Sequence, residues 1–171
     1  MSITISMASP EDYKALNRYS NKISRENTYT YLSGEPIDPE RDKTLLIHAS
    51  SQEFPIVYLA KEGRDKVVGL GVLYNFPKEK KKGSHKCGFK LSVDRDYRRR
   101  GIGTNLLEII LRTAATKNFK LVTISVFGNN SGALTLYQKF DFTEAGRLPE
   151  GLFDTRSGVF VDEVFMYKKL L

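Results

Sequence analysis

The sequence predicts a single mixed α/β domain, residues 1–171, built around one central sheet. The chain has 171 residues, enough for one compact domain with a sizeable core but short for two domains. Hydrophobic residues make up 40% and charged residues 27% of the chain, as in an ordinary globular protein. Patterns typical of strands and helices follow in the order strand, helices, three antiparallel strands, helix, strand, helix, strand.

The chain begins with a short strand pattern at residues 3–7. A helix is predicted next, because Ser9 can act as its N-cap, Pro10 suits the first helical position and Asp12 completes a capping box. The helix is expected to end near residue 24. Its apolar positions recur every three or four residues, at Tyr13, Leu16, Tyr19 and Ile23.

A second helix is predicted to start at residues 38–40, after a stretch without helical periodicity. The next two strand patterns, residues 56–60 and 67–75, flank a turn at residues 62–65 and therefore predict a hairpin. A third strand is predicted over residues 86–93.

Helix and strand patterns alternate in the second half of the chain. The turn at residues 101–104 opens an amphipathic helix, whose apolar residues are Leu106, Leu107, Ile110, Leu111 and Ala114. Residues 121–127 predict a strand. The last two patterns are a helix, carried by Ala133, Leu136, Tyr137 and Phe140, and a strand over residues 159–168.

The surface charge favours anionic partners. Lysine and arginine outnumber acidic residues by 27 to 20, and the net charge of +7 suits nucleic acid or a phosphate-rich cofactor. The basic cluster at residues 78–82 contains no aromatic residue and is typical of a solvated loop, so we do not expect nucleic-acid binding there. A second basic cluster consists of Arg95, Arg98, Arg99 and Arg100.

Membrane, secreted and metal-binding classes do not fit the sequence. The chain has no apolar run of about 18 residues and no signal-peptide pattern at its start, so we expect a cytoplasmic protein without membrane contact. Cys87 is the single cysteine and cannot form an internal disulfide. Only His48 and His85 accompany it, so no ligand set has zinc spacing and no metal is expected.

A phosphate-binding turn is predicted where a strand ends and a glycine-containing helix start follows. Gly101 and Gly103 allow close approach of a ligand to the backbone, and the N–H groups of the first helical turn favour an anion. The dinucleotide fingerprint does not fit, because its third glycine would stand where the chain has Leu106. Walker A does not fit either, because Lys and then Ser or Thr do not follow Gly83 and Gly88.

The run Arg98-Arg99-Arg100-Gly101-Ile102-Gly103 resembles the acetyl-CoA signature of the GNAT N-acetyltransferase superfamily. Residues 126–142 are similar to the second signature of that family, through Asn130, Ala133, Leu136, Tyr137, Lys139 and Phe142. Residues 147–166 resemble the final hairpin of the branch that acetylates amino acids and similar small amines. The likeness starts at about Ile56, and Asp141 departs from it where the family usually has glycine.

The resemblance implies the GNAT fold, with a mixed, mostly antiparallel sheet of six to seven strands flanked by about four helices. It implies that acetyl-CoA binds along the arginine turn and donates its acetyl group directly to a primary amine of an amino acid or similar small molecule. The implied cofactor residues are Leu91, Ser92, Val93, Arg98, Arg99, Arg100, Gly101, Ile102, Gly103, Thr104, Asn130, Tyr137 and Lys139. Asn130 also fits an ordinary helix N-cap.

Tyr137 matches the family tyrosine that protonates the departing thiolate, although it also fits a core aromatic on an apolar helix face. The sequence does not identify the general base that would accept the proton of the amine. Many relatives carry a carboxylate where this chain has Gly88, and His85 at the start of the same strand is one candidate in its place. Other candidates for the base are Glu26, Asp162 and Glu163, which could act through an ordered water. A further alternative is that a chain of water molecules carries the proton and no residue serves as the base.

The resemblance also implies that the amine acceptor binds between the first helices and the last hairpin, here residues 13–36 and 148–160. In these regions Tyr29, Tyr31 and Phe153 would form an apolar wall or belong to the core.

Two rival functions stay open in the sequence. One is a protein acetyltransferase that acts on an N-terminus or a lysine, although this basic chain shows no acidic patch to attract a cationic acceptor. The other is a basic module that binds CoA or RNA without catalysis. The sequence also allows a homodimer, in which the last strand, residues 159–167, would pair with the same strand of a second copy.

Overall fold

The computed structural model describes residues 2–26, 29, 34–51, 53–76 and 81–170, with only the backbone of residue 81. Its strands are β1 (Ile3–Met7), β2 (Ile56–Glu62), β3 (Lys66–Asn75), β4 (Lys86–Val93), β5 (Leu121–Phe127), β6 (Thr143–Asp154) and β7 (Val159–Lys169). Its helices are α1 (Tyr13–Glu26), α2 (Pro39–Ser51), α3 (Ile102–Thr116) and α4 (Ser131–Lys139). Over these residues the strands form one sheet in the order β1-β2-β3-β4-β5-β7-β6, and the predicted mixed α/β class is confirmed.

The pairing of the sheet is antiparallel except between β4 and β5, which run parallel. The predicted capping box is present, since the Ser9 N–H donates to the Asp12 carboxylate at 3.0 Å. A short 3-10 turn, Pro10–Asp12, precedes α1. The predicted strands at β4 and β5 have the observed bounds. β6 starts at Thr143, ahead of the hairpin expected from residue 147.

Helices cover the two faces of the sheet with separate cores. On one face, Leu107 and Ile110 of α3 pack with Phe89 of β4, and Tyr137 of α4 joins them. On the other face, the apolar side chains of α1 and α2 pack against β2 and β3. The fully buried side chains of this second core include Leu16, Leu46, Val57 and Leu59.

β4 and β5 separate in the middle of the sheet. Their parallel pairing runs from Lys86↔Leu121 to Gly88↔Thr123. Beyond that pair, β4 continues to Val93 alongside β3 only, and β5 continues alongside β7 only. We call this gap between the strands the fork, and the pair Gly88↔Thr123 its apex.

The backbone of β4 faces the fork at alternate residues. The Cys87 carbonyl points to β5, where it accepts from the Thr123 hydroxyl at 3.4 Å. The Asp94 N–H points the opposite way and donates to the Val68 carbonyl of β3 at 3.0 Å. Because hydrogen-bonding directions alternate along a strand, the main-chain groups of Leu91 are directed into the fork.

Most of the last strand lies inside the sheet. Residues 163–167 of β7 are paired with both β5 and β6, whereas residues 159–161 pair only with β6, so pairing with a second copy through β7 would be limited to the ends of the strand. The edge of the sheet at this end is β6, which comes earlier in the chain. In the described part of the chain, no helix has the length and apolarity to cross a bilayer.

Cys87 is predicted to be inert to thiol reagents in the folded protein. Its side chain is fully buried, and this burial raises the pKa of the thiol to about 12. Reaction with a chromogenic disulfide reagent needs the thiolate and access to it. The native protein should therefore release no chromophore over an hour, whereas the urea-unfolded protein should release one equivalent. Rapid reaction of the native protein would contradict the buried position of Cys87.

Candidate functional site

A cleft of about 700 Å³ opens between the fork, the start of α3 and the start of α4. Every residue of the implied cofactor set except Arg100 lines it. Its walls are formed by Ile23, Tyr29, Leu91, Ser92, Val93, Tyr97, Arg98, Arg99, Gly101, Ile102, Gly103, Thr104, Asn130, Ser131, Gly132, Ala133, Thr135, Leu136, Tyr137 and Lys139. A cleft of this size is in the range of small-molecule and cofactor sites.

The turn before α3 presents main-chain N–H groups to the cleft. Gly101 is the N-cap of α3 and has a left-handed backbone with φ of 78°. A Cβ at this position would find no atom within 4 Å, so the space above the turn is open to a ligand. The first N–H groups of α3 have no partner within the helix, and they form a site for an anion such as phosphate.

Ion pairs anchor this turn to α1. The Arg98 guanidinium contacts the Glu26 carboxylate at 2.7 Å and donates from Nε to the Val93 carbonyl at 3.0 Å. Glu26 also accepts from the Arg95 N–H at 3.1 Å. Glu26, which the sequence offers as a candidate for the general base, is therefore bound to two residues of the arginine turn. Arg98 holds the turn in place, and its positive charge is balanced by the Glu26 carboxylate.

Lys22 makes a second connection between α1 and the turn, because its ammonium lies 2.8 Å from both Asp94 and Asp96. The hydrogen bonds to Asp94 and then Asp96 raise the pKa of Lys22. Asp94 is buried and its carboxylate also accepts from the Asp96 N–H at 3.0 Å. The phosphate-type turn is therefore rigidly placed beside the end of the fork.

Arg100 does not reach the cleft. Its guanidinium stacks on the Tyr97 ring at 4.9 Å and borders a separate shallow pocket beside Ile3 and Asn105. The left-handed backbone of Arg99, with φ of 63°, places the neighbouring arginine side chains on different sides of the turn. The sequence run of three arginines could not show this divergence.

Arg99 and Arg100 should therefore differ in their effect on cofactor binding. Arg100→Ala is expected to leave the dissociation constant of acetyl-CoA within about twofold, since Arg100 points away from the cleft. Arg99→Ala removes a cleft-lining charge and should weaken binding about three- to tenfold. Isothermal titration calorimetry at fixed salt measures both constants. An equal loss in the two variants would show that the arginines act only through net charge.

Tyr137 is both a core aromatic and a cleft residue. Its ring packs on Phe89 and on Phe142, each with a centroid distance of 5.6 Å. Only 4% of the residue is exposed, and this burial raises the pKa of its hydroxyl above the ordinary value. The phenol stays protonated at neutral pH and can donate a proton into the cleft.

Asn130 caps α4 at the cleft wall. Its side-chain oxygen accepts from the Ala133 N–H at 3.1 Å, which confirms the N-cap that the sequence allowed. It also lines the cleft together with Lys139 from the last turn of α4. Capping the helix is by itself a sufficient reason for asparagine at this position. Because Asn130 also lines the cleft, it could contact a bound ligand as well.

The structure does not bring His85 to the cleft. His85 is exposed at the opposite end of β4, where its main-chain carbonyl accepts from the Lys120 and Leu121 N–H groups. At about 3.3 Å per residue, roughly 23 Å of strand separate it from Ser92 at the cleft. Asp162 and Glu163 lie on β7, outside the residues that line the cleft.

The expected aromatic wall is present only in part. Tyr29 lines the cleft, stacks on Phe127 at 5.9 Å and has its hydroxyl 3.0 Å from the Arg156 guanidinium. Phe153 packs on Phe160 of the terminal hairpin at 5.1 Å. Tyr31 lies outside the described residues, as does most of the basic cluster at 78–82. Arg156 was missed because a hairpin-loop arginine carries no sequence signal.

Sequence reasoning also missed Tyr74 on β3. Tyr74 pairs in register with Gly88, the position where many relatives carry a carboxylate. A Cβ built on Gly88 would lie 2.6 Å from the Tyr74 hydroxyl oxygen. The tyrosine thus occupies the space that a side chain at position 88 would need.

Comparison with known proteins matches this chain to one family model. The model of the acetyltransferase (GNAT) family matches residues 19–142. Among curated proteins, the chain is 35% identical over 57 residues to the ribosomal protein bS18-alanine N-acetyltransferase of Salmonella typhimurium. That match covers 33% of this chain and only 38% of the relative.

Two longer similarities cover nearly the whole chain. It is 25% identical over 150 residues to a putative phosphinothricin acetyltransferase of Bacillus subtilis, across 86% of this chain and 88% of the relative. The structure of a GNAT-family acetyltransferase from Streptococcus pneumoniae superposes with a TM-score of 0.88 at 25% identity, covering 99% of this chain and all of that one. The seven-stranded order therefore matches a known fold over its full length.

Proposed function

This chain belongs to the GNAT acetyltransferase family, and from that premise we propose that it moves the acetyl group of acetyl-CoA directly to a primary amine of an amino acid or similar small molecule. The observation that carries the proposal is the cleft itself. Gly101 of the turn before α3, Leu91 of the fork and Tyr137 of α4 line it together, which supports one continuous site for a thioester cofactor.

The residues of the cleft fit acetyl-CoA. The N–H groups that follow Gly101, with Arg99 beside them, would hold the pyrophosphate. The main-chain groups of Leu91 would form hydrogen bonds with the amide-containing arm of acetyl-CoA. This arm would take the place of β5, which no longer pairs with β4 at Leu91. Acetyl-CoA supplies an activated thioester. No metal is invoked for any part of this site.

Tyr137 would move the proton that the transfer requires. A bond forms between the amine nitrogen and the carbonyl carbon, the bond from that carbon to sulfur breaks, and one proton passes from nitrogen to sulfur. The buried Tyr137 hydroxyl can donate to the sulfur, since its raised pKa keeps it protonated, and can recover a proton that originates from the amine.

Two basic side chains, Arg156 and Lys90, lie beside residues that line the cleft. Arg156 lies over the Tyr29 ring at 5.1 Å, next to the cleft wall. Lys90 is exposed on β4 and alternates with Gly88 and Ser92 on the face toward α1. Such charges suit an acceptor that has a carboxylate besides its amine. The long similarity to a putative phosphinothricin acetyltransferase supports the same small-molecule class.

A protein N-terminus is the second candidate acceptor. The local identity of 35% to an enzyme that acetylates the alanine of a ribosomal protein favours it. That similarity spans 57 residues, whereas the similarity to the small-molecule enzyme spans 150 residues. We therefore rank the protein acceptor second.

A thermal shift with acetyl-CoA and with free CoA, followed by a thiol-release assay over amino acids, polyamines and short peptides, tests the proposal. At about a hundred times its dissociation constant, acetyl-CoA should raise Tm by roughly 5–10 °C. Thiol release with one acceptor class would identify the reaction. If Tm does not change at saturating acetyl-CoA, the proposed acetyltransferase function is rejected. Steeply salt-dependent RNA binding that CoA does not abolish would favour a basic binding module instead.

We propose that the enzyme is cytoplasmic, because its one cysteine is free and its cofactor is an intracellular metabolite. A homodimer stays a proposal as well. Exposed apolar residues of the β6–β7 hairpin, among them Leu148 and Phe160, are the surface that it would use. Light scattering during gel filtration would give the mass in solution and decide between monomer and dimer.

A further inference from the structure

We infer that the Ser92 hydroxyl accepts a hydrogen bond from the acceptor amine, and that the buried Tyr19 hydroxyl fixes the direction of that bond. The inference rests on the proposed acetyl transfer and names a catalytic residue on its acceptor side. The family resemblance implies Ser92 for the cofactor alone, and Tyr19 stands in the sequence as an apolar position of α1. Their contact gives both residues a role in the reaction.

Ser92 offers its hydroxyl to the cleft. It is half-buried on β4 and lines the cleft. Its partner in the sheet is Leu70 of β3. The main-chain groups of Ser92 are directed to β3, like the Asp94 N–H that donates to the Val68 carbonyl at 3.0 Å. The hydroxyl is therefore the polar group of Ser92 that faces a molecule in the cleft.

Tyr19 donates the hydrogen bond that joins it to Ser92. The two hydroxyl oxygens lie 2.9 Å apart. Tyr19 is only 3% exposed, and burial raises the pKa of its hydroxyl, so the group is protonated at neutral pH. A buried O–H needs an acceptor, and Ser92 is the hydrogen-bond partner of this hydroxyl among the described residues. The proton between the two oxygens therefore belongs to Tyr19.

This direction determines what Ser92 has left to offer. A serine hydroxyl has one hydrogen and two lone pairs. Tyr19 occupies one lone pair from the side of α1. The second lone pair is held in a fixed direction and can accept one hydrogen bond from a molecule in the cleft.

An attacking amine would reach the fork on the face that holds Ser92. A carbonyl group that accepts from main-chain N–H groups of β4 lies near the plane of the sheet, so a nucleophile approaches its carbon from one of the two faces. The face toward α3 and α4 is filled by the buried rings of Phe89 and Tyr137. The opposite face carries Ser92 and Tyr19, and Ile23, one helical turn after Tyr19, lines the cleft there.

The Ser92 hydroxyl suits the charge that develops during the attack. As the bond between nitrogen and the carbonyl carbon forms, an electron pair moves to the carbonyl oxygen and the nitrogen becomes positive. Its N–H groups then become stronger donors, so a hydrogen bond to Ser92 is stronger in the transition state than before it. A primary amine has two hydrogens at this stage. One is bonded to Ser92, and the other supplies the proton that ends on sulfur when the bond from carbon to sulfur breaks.

The first test compares Ser92→Ala with Ser92→Thr. The probes are acetyl-CoA and the standard amino acids, of which the one with the fastest thiol release is used for all variants. Ser92→Ala should lower kcat/KM about ten- to a hundredfold, mostly through kcat, the usual effect of losing a hydrogen bond to a charged group. Ser92→Thr keeps a hydroxyl and should stay within about threefold of the wild type. Calorimetry should give both variants the acetyl-CoA affinity of the wild type.

A double variant separates catalysis from stability. Ser92→Ala leaves the buried Tyr19 hydroxyl without its acceptor and should lower Tm by roughly 3–8 °C. Tyr19→Phe in the same chain removes that unpaired hydroxyl, so Tm should recover. The rate should not recover, because the lone pair of Ser92 is still missing. Tyr19→Phe alone should lower kcat/KM about two- to tenfold, since it only frees the direction of the Ser92 hydroxyl.

The pair of Tyr58 and Thr113 is the matched control. Their hydroxyl oxygens also lie 2.9 Å apart, and the Thr113 hydroxyl donates to the Ile109 carbonyl at 2.8 Å. Neither residue lines the cleft. Tyr58→Phe, Thr113→Ala and their double variant should change Tm and leave kcat/KM as in the wild type.

Four results would overturn the inference. They are a kcat/KM of Ser92→Ala within twofold of the wild type, recovery of the rate together with Tm in the double variant, an equal loss in Ser92→Thr, and a loss of acetyl-CoA affinity that accounts for the whole effect. Failure of the proposed function looks different, because the wild type would then show no stabilisation by acetyl-CoA and no thiol release with any acceptor.

Discussion

Replacing Tyr137 by phenylalanine is expected to lower kcat by about 10²–10⁴-fold, the usual contribution of a positioned acid, while acetyl-CoA binds as before. The substitution deletes one hydroxyl and keeps the ring. The contacts to Phe89 and Phe142 at 5.6 Å are ring contacts, so the core should be retained. A loss of turnover without a loss of Tm would therefore assign the effect to the proton.

The pH dependence gives an independent check on Tyr137. Burial raises the pKa of its hydroxyl above the ordinary value, so the group is protonated below that raised pKa and loses its proton only as pH rises through it. In the wild type, kcat should show no fall from this group between about pH 7 and pH 10. Steady-state rates over this range measure it. Tyr58→Phe is the control, because the Tyr58 hydroxyl bonds the Thr113 hydroxyl at 2.9 Å and Tyr58 does not line the cleft. A kcat of Tyr137→Phe within threefold of the wild type would exclude the tyrosine as the acid.

Gly101→Val is expected to weaken acetyl-CoA binding by at least about a hundredfold, since it blocks several charge-assisted hydrogen bonds together. Gly101 has φ of 78°, a conformation that a β-branched residue rarely adopts. Its missing side chain leaves open space over the first N–H groups of α3. Valine would both strain the turn and fill the place that a pyrophosphate must enter.

Gly63→Val is the matched control for this prediction. Gly63 also has a left-handed backbone, with φ of 66°, and a Cβ there would likewise find no atom within 4 Å. It lies in the turn between β2 and β3 and does not line the cleft. Both variants should lose comparable Tm, and only Gly101→Val should lose affinity in calorimetry. Equal affinities in the two variants would contradict an anion site at the start of α3.

Local signals in the sequence accounted for most elements of the fold. The capping box at Ser9, the glycine turn at residues 62–65 and the strand patterns of β4 and β5 each depend on neighbouring residues, and all are present. The start of β6 at Thr143 was missed because its pattern is interrupted. The register against β7 shifts between Glu144 and Gly146, so the alternation that identifies a strand is broken near that start.

Asp141 shows how a departure from the family pattern is accommodated. The family usually has glycine at this position, and Asp141 takes a left-handed backbone with φ of 59°. Aspartate tolerates this conformation better than most residues. The chain still turns from α4 into β6, with the Asp141 N–H donating to the Gln138 carbonyl at 3.0 Å. The turn is thus kept by backbone geometry rather than by residue identity.

The sequence by itself determined the segment that lines the cleft. Residues 91–104 are contiguous in the chain and contain the end of a strand, a glycine turn and the start of a helix. Because these three features are only a few residues apart, each one determines where the next one lies. The family signature and the position of Tyr137 within it were accessible for the same reason. His85 was suggested by the same local reasoning, but it lies seven residues along the strand from Ser92 and does not line the cleft.

Only the tertiary structure decided which residues meet across the elements. It set Glu26 against Arg98, turned Arg100 onto Tyr97, brought Arg156 to Tyr29 and placed Tyr74 over Gly88. The partners in each case depend on strand register and helix placement, which are fixed by the packing of two cores on one sheet. A one-residue shift of β3 against β4 would move Tyr74 to the opposite face, and no local pattern in the sequence encodes that register.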